Sequence, residues 1–355
     1  MNVKNILLCM VVSAVSFSLT GCSSTDKGYV VVTDYLKPDG KKDVSDAIQR
    51  IIDANPNRTI FFPDGIYVIS KPINTPADPA KSVSLLLSGF AVIRASEGWS
   101  HEEAMIRLGG KDPFNTIYIP GSNYFLDGGI IDGNGVATGI SIDSGRETVI
   151  RNTSVKNALV GIRINRGANN GSSDCDIHDV NITGNMADGS IGVLVIGYDN
   201  TFSNMRIANV HIGVKLCSGG NSLRNIHPLY TGNGYESGEY ANSCGFLDEG
   251  GNNFYSFCYS DQFATGFQTG GGHVVYSDCF CWWYSKKGGR HTAFKSTGKF
   301  NAVVSNMTAG FHKDAAAEEN VLLDAAEEGG SGVLTNLHVQ DLSVLTDHSH
   351  KKYMR

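Results

Sequence analysis

From about residue 120 onward, apolar residues recur in short alternating runs and not at helical spacing. Such alternation predicts β-strands with one buried face. Many of the runs open on glycine: Gly139-Ile140-Ser141-Ile142, Gly161-Ile162-Arg163-Ile164, Gly192-Val193-Leu194-Val195, Gly213-Val214-Lys215-Leu216, Gly245-Phe246-Leu247-Asp248 and Gly266-Phe267-Gln268-Thr269. Successive starts lie 21 or 22 residues apart, with two longer steps of 31 and 32. A fixed step of that size with occasional insertions is a solenoid period.

A second phrase alternates with the first: apolar, any residue, Asn or Asp, apolar, any, apolar. It reads Ile150-Arg151-Asn152-Thr153-Ser154-Val155, then Ile177-His178-Asp179-Val180-Asn181-Ile182 and Phe202-Ser203-Asn204-Met205-Arg206-Ile207, and it continues around Asn225, Asn306 and Asn336. Alternation breaks at the Asn, which tolerates the left-handed region and so suits a tight bend. Three short strands per coil follow: the glycine strand, one before the Asn and one after it. Stacked coils would align Asn152, Asn204, Asn225 and Asn306 in a hydrogen-bonded ladder, a structural role that removes them from the candidate site.

The first residues are different. Lys4 precedes an apolar run from Ile6 to Val15, too short to span a membrane, and Leu19-Thr20-Gly21-Cys22 closes it. That ending resembles the bacterial lipobox, which implies cleavage before Cys22 and its acylation. The expected organisation is a signal peptide over 1–21, a tether over 22–28 and one domain over 29–355, held at a bacterial cell envelope by lipid. With 42 Gly and 9 Pro among 355 residues but no triplet period, the chain is not collagen-like. A net charge of −6 argues against a nucleic-acid partner. Six cysteines remain beyond Cys9 and Cys22, and none has zinc-type spacing.

Residues 32–73 include Asp43-Val44-Ser45-Asp46-Ala47-Ile48-Gln49-Arg50-Ile51-Ile52 and Phe61-Phe62-Pro63-Asp64-Gly65-Ile66-Tyr67. Ser45 or Asp43 can start a helix whose buried face is Ile48, Ile51 and Ile52. This segment resembles the opening of pectate-lyase-superfamily proteins, where a helix caps the first coil. The resemblance implies an all-β, right-handed parallel β-helix, with its groove along the glycine strands and the loops leading into them. A cap is physically required, since an open terminal coil exposes a sheet edge. The superfamily includes polysaccharide lyases, hydrolases, epimerases and phage tailspikes, so it implies a polysaccharide partner without fixing a reaction.

Outward residues of the glycine strands form one column: Ser141, Arg163, Leu194, Lys215, Leu247, Gln268 and Lys295. Two places along stand Asp143, Asn165, Ile196, Cys217, Glu249, Gly270 and Thr297, with Asp324 expected beyond. The insertions at 184–190, 229–244 and 284–292 all precede glycine strands, and long loops in a regular solenoid are usually functional. Aromatic faces stack on sugars and cations hold carboxylates, which nominates Arg163, Tyr230, Trp282, Trp283, Arg290, His291 and Lys295 for substrate binding. Trp282 and Trp283 equally suit one core ring and one ring over a coil edge.

A lyase needs a base and a cation to stabilise enolate-like charge, and Lys215 is a candidate base. A hydrolase needs two carboxyl groups, for which Glu249 with Glu236, Glu239 or Asp261 is the nearest set. Cations along the column favour a lyase over a hydrolase acting on an acidic polysaccharide. The alternative, from another class, is a non-catalytic glycan-binding or structural solenoid. No metal site is evident, and any calcium would rest on the resemblance alone. A monomer is expected, with a homotrimer as the other arrangement.

Overall fold

The computed structural model describes residues 28–111, 124–167, 172–231, 238–270, 272–284, 289–312, 317–340 and 345–354. Every strand pairing within its two sheets is parallel, and each strand pairs with its counterpart one coil away. The narrower sheet has ten strands, beginning at Ile73–Pro76 and Ile106–Lys111 and ending at Arg290–Lys299 and Glu319–Glu327. The wider one has twenty, because most coils contribute a strand on each side of a bend. Asp176–His178 and Asn181–Gly184 are one such pair, and in Thr201–Ala208 the strand runs through the bend. The third segment of the first of these coils, Val160–Ile164, lies in the narrower sheet.

From the coil of Asn152 onward the bend column is left-handed: Asn152, Asp179, Asn204, Asn225, Phe257, Asp278, Asn306 and Asn336 have φ between 51° and 55°. Its amides form the expected ladder, with Asn225 Nδ2 donating to Asn204 Oδ1 at 3.0 Å and Asn336 Nδ2 to Asn306 Oδ1 at 3.1 Å. Phe257 interrupts the line, and Arg224 covers its ring at 5.8 Å.

The glycine column has a steric cause. A Cβ on Gly139, Gly161, Gly192, Gly213 or Gly245 would run into the carbonyl oxygen of the next glycine in the column and into a side chain packed from the wider sheet. No larger residue keeps the coils at sheet spacing there. Inside, like residues stack from coil to coil. Phe246 lies on Phe267 with centroids 4.7 Å apart, and Trp283 on Phe311 at the same separation, matching the interstrand distance of about 4.8 Å.

Both ends are covered. The helix Ser45–Ala54 buries Ile48, Ile51 and Ile52 against the first coil, and Gln49 exchanges two hydrogen bonds with the backbone of Asn74. Asp43 accepts from the Ser45 backbone N–H at the helix start. Within the Phe-Pro motif, buried Tyr67 packs edge-on against Phe62 and donates its hydroxyl to Pro63 O at 2.8 Å. At the other end a 3₁₀ turn, Ser349–Tyr353, lays Tyr353 on Phe300.

A polar line inside the core was not foreseen. Asn200, Asn221 and Asn253 pass amide hydrogen bonds along three coils to the fully buried Asp248. Asp248 also accepts from the backbone N–H groups of Gly250 and Gly251 and from Tyr255 OH. Burial pushes its carboxyl up against these donors.

Candidate functional site

The outward column of the narrower sheet runs Asn74, Arg107, Ser141, Arg163, Leu194, Lys215, Leu247, Gln268, Lys295, Asp324. Asp324 thus stands beside Lys295 in the first column, and the expectation that it lies two places along is corrected.

A concave site opens over three of these coils, those of Arg107, Ser141 and Arg163. The loop between the strands Ser84–Ala95 and Ile106–Lys111 folds back over the sheet, anchored by buried Trp99, whose indole N–H donates to His101 O at 3.0 Å. The resulting cleft, about 430 Å³, has His101, Glu102 and Glu103 on its wall. Arg107, Ser141, Asp143, Arg163 and Asn165 line it from the sheet. A smaller hollow of about 360 Å³ adjoins it through His101, Glu103 and Arg107, and extends to Lys71 and Asp46 of the cap.

The charges on this floor are unevenly satisfied. Arg107 donates to Asp143 Oδ2 at 2.5 Å and to Asn74 Oδ1 at 3.1 Å, while Asn165 donates to Asp143 Oδ1 at 2.7 Å. Arg107 and Asp143 are therefore committed to each other. Arg163 Nε and Ser141 Oγ, by contrast, are buried without a hydrogen-bond partner among the described residues. An unpaired buried guanidinium N–H is costly, and a planar oxyanion satisfies it best. On the opposite wall His101 Nδ1 lies 4.0 Å from Glu103 Oε2, beyond hydrogen-bond distance. Among the described residues no group of three or more His, Cys, Asp or Glu could hold a metal ion.

Residues 29–89 match a sequence family described as rhamnogalacturonase A/epimerase, pectate lyase-like. No curated protein sequence matches the chain. Among solved structures, the A-module of mannuronan C-5 epimerase AlgE6 from Azotobacter vinelandii superposes with a TM-score of 0.61 at 16% identity, covering 88% of this chain and 90% of that one. Alginate lyase from Paenibacillus sp. str. FPU-7 gives 0.53 at 13% identity, over 83% of this chain and 97% of its own. The tailspike of E. coli bacteriophage HK620, in complex with a hexasaccharide, gives 0.60 at 13% identity over 89% and 66%. The chain is a right-handed parallel β-helix. At these identities the likeness is one of fold.

The β-helix sorts the sequence-derived candidates by which way they face. Lys215 and Glu249 are on the groove face, but paired to each other at 3.1 Å, so Lys215 is not a lone base. Asp261 belongs to the wider sheet, next to His227, and is not brought to Glu249. The expected carboxylate pair of those two is absent. Glu236 lies outside the described residues, as does Cys22, and the Glu239 side chain is not described.

Three proposed substrate contacts are core residues, which burial keeps from any polymer. Tyr230 packs edge-on against Tyr240 and Phe263. Trp283 donates to Phe263 O at 2.6 Å, with His291 stacked on one side and Phe311 on the other. Burial pushes His291 down to about 3, so its imidazole is neutral at ordinary pH. Trp282 is the outward member of the tryptophan pair, half-buried on the wider sheet. Arg290 is held by Glu319 at 2.6 Å and Asp324 at 3.0 Å, while Lys295 remains on the groove column between Gln268 and Asp324.

Of the sequence-derived set, only Arg163 lies in the cleft. Arg107, His101, Glu102 and Glu103 were missed, and Asp143 was placed on the groove face without a role. The available signal was the His101-Glu102-Glu103 run just before Ile106, the first full strand of the column. It precedes the glycine repeat and so escapes a search keyed to that repeat.

Proposed function

We propose that this β-helix binds a carboxylate-bearing polysaccharide in the cleft over Arg107, Ser141 and Arg163 and cleaves it by β-elimination. The reading also has Cys22 carry the lipid that holds the protein at the bacterial envelope. The observation that supports it most is the buried, unpartnered Arg163 Nε beside the unpartnered Ser141 Oγ. A sugar carboxylate bound in the cleft by the Arg163 guanidinium, which lines it, would gain charge-assisted hydrogen bonds and have its charge neutralised, which favours removal of the adjacent proton. His101, on the cleft wall, would take that proton. The electron pair forms the ring double bond as the glycosidic C–O bond breaks, and solvent protonates the leaving oxygen. Hydrolysis has less support, because both Asp143 oxygens are already engaged by Arg107 and Asn165. Similar folds named for mannuronan and alginate are in keeping with an acidic polymer.

The test is incubation of the mature protein with alginate, polygalacturonate and neutral polysaccharides. Ultraviolet absorbance from unsaturated ends is expected with an acidic polymer only. Arg163→Gln and His101→Gln should each lower that rate by at least about a hundredfold. Reducing ends without absorbance would replace elimination by hydrolysis, and retention in an affinity gel without product would replace it by binding. Cys22→Ser should move the protein from the membrane fraction to the soluble one.

A further inference from the structure

The outer face of the wider sheet carries a second cluster that the cleft does not use. The strands Tyr259–Asp261, Phe280–Trp283 and Thr308–Phe311 are neighbours, and Asp261, Trp282 and Gly310 occupy one outward column. A Cβ on Gly310 would collide with the six-membered ring of Trp282. The indole therefore lies down across the next coil, on the space that glycine leaves, with Phe280 nearly parallel to it at 19°. One column over, His227 stacks on Tyr259 with centroids 4.1 Å apart.

Behind His227 stands the Asp261 carboxylate, which also accepts a hydrogen bond from the Tyr259 side chain. The Asp261 side chain is 10% exposed, its Oδ2 is 3.5 Å from His227 Nε2, and its Oδ1 has no hydrogen-bond partner among the described residues. His227 itself is 25% exposed; its Nε2 is buried toward Asp261 without a hydrogen-bond partner among the described residues, and the ring is held flat by its stack on Tyr259. An indole laid flat beside a polar group with fixed orientation is what recognition of a pyranose requires. The apolar C–H face of the sugar meets the ring, and a hydroxyl meets the polar group.

We propose that this face is a second sugar-binding site, in which a pyranose stacks on Trp282 and hydrogen-bonds to His227, with Asp261 as the positioning residue. It lies on a different sheet from the cleft and does not depend on cleavage there. The site would hold a glycan chain alongside the protein while another stretch occupies the cleft.

The experiment is calorimetric titration of the mature protein with hexaoses of galacturonate, mannuronate, glucose, mannose and N-acetylglucosamine. Each titration is run on the parent and on Arg163→Gln, which removes the cleft contribution. At least one hexaose should bind Arg163→Gln. Trp282→Ala in that background should weaken it about tenfold or more, a loss well above titration error. Gly310→Ala should do the same with the indole still present, because it lifts the ring off the sheet, and Trp282→Phe should retain part of the affinity. Circular dichroism shows whether each variant keeps the fold. The proposal is overturned if no hexaose binds Arg163→Gln, or if Trp282→Ala binds as tightly as the tryptophan protein. Loss of cleavage with this binding intact would instead count against the cleft reading alone.

Discussion

Gly161→Ala is a direct test of the idea that coil spacing dictates the glycine column. An ideal Cβ at residue 161 lies 2.6 Å from Gly192 O and 2.7 Å from Ile182 Cγ2, where ordinary contact begins at 3.4 Å. The carbonyl belongs to the next coil and cannot retreat without stretching sheet hydrogen bonds. Overpacking of this kind costs about 1–3 kcal/mol, and the reduced freedom of the unfolded chain returns about 0.4–1 kcal/mol. A net destabilisation of about 1–2 kcal/mol follows. Gly89→Ala is the matched control: its Cβ meets nothing within 4 Å and its φ is not positive, so it should be neutral or slightly stabilising. Equilibrium unfolding in guanidinium chloride reads both as shifts in midpoint at constant slope. A Gly161→Ala protein as stable as the parent, or a costlier Gly89→Ala, would refute the steric account.

Two further substitutions probe the core and the bend. Neither His291 nitrogen has a hydrogen-bond partner among the described residues, and its folded value near 3 lies below the ordinary 6.5. Its contribution is therefore full above pH 6.5 and is lost as pH falls toward 3, by up to about 1.4 kcal/mol per pH unit. His291→Leu should flatten that acid slope and match or exceed the parent at pH 7, measured by denaturation midpoints from pH 7 to pH 4; an unchanged slope would refute the assignment. Phe257→Asn should restore the ladder at a left-handed residue (φ 53°) that is 55% exposed. It should stabilise by about 1 kcal/mol, and a lower midpoint would show that the Arg224–Phe257 contact matters more.

The solenoid was legible because its determinants are local and repeat in register. Asn204 and Asn225 mark the bend by their tolerance of positive φ, and Gly161 and Gly192 mark the close approach between coils. Facing was harder to read where the repeat lapses. Trp283 precedes, and His291 lies near the end of, an insertion across which the alternation of inside and outside cannot be carried, so aromatic content suggested a groove where the chain was filling its core. The cleft was illegible for a different reason. Arg107, Ser141 and Arg163 come from three coils, and His101 to Glu103 from a loop above them. Only stacking reveals that the Arg107 charge is consumed by Asp143 while Arg163 Nε is left over.

The covered ends have a consequence for how such a protein can change size. The helix Ser45–Ala54 packs on the first coil and the turn Ser349–Tyr353 on the last, so a coil added between them leaves both covers in place. Duplicating one loop-free coil, for instance residues 192–212, would move everything beyond it along the axis by about 4.8 Å. The cleft, confined to earlier coils, would stay intact. Coil number could therefore vary as a spacer, changing the reach between the two faces without rebuilding either.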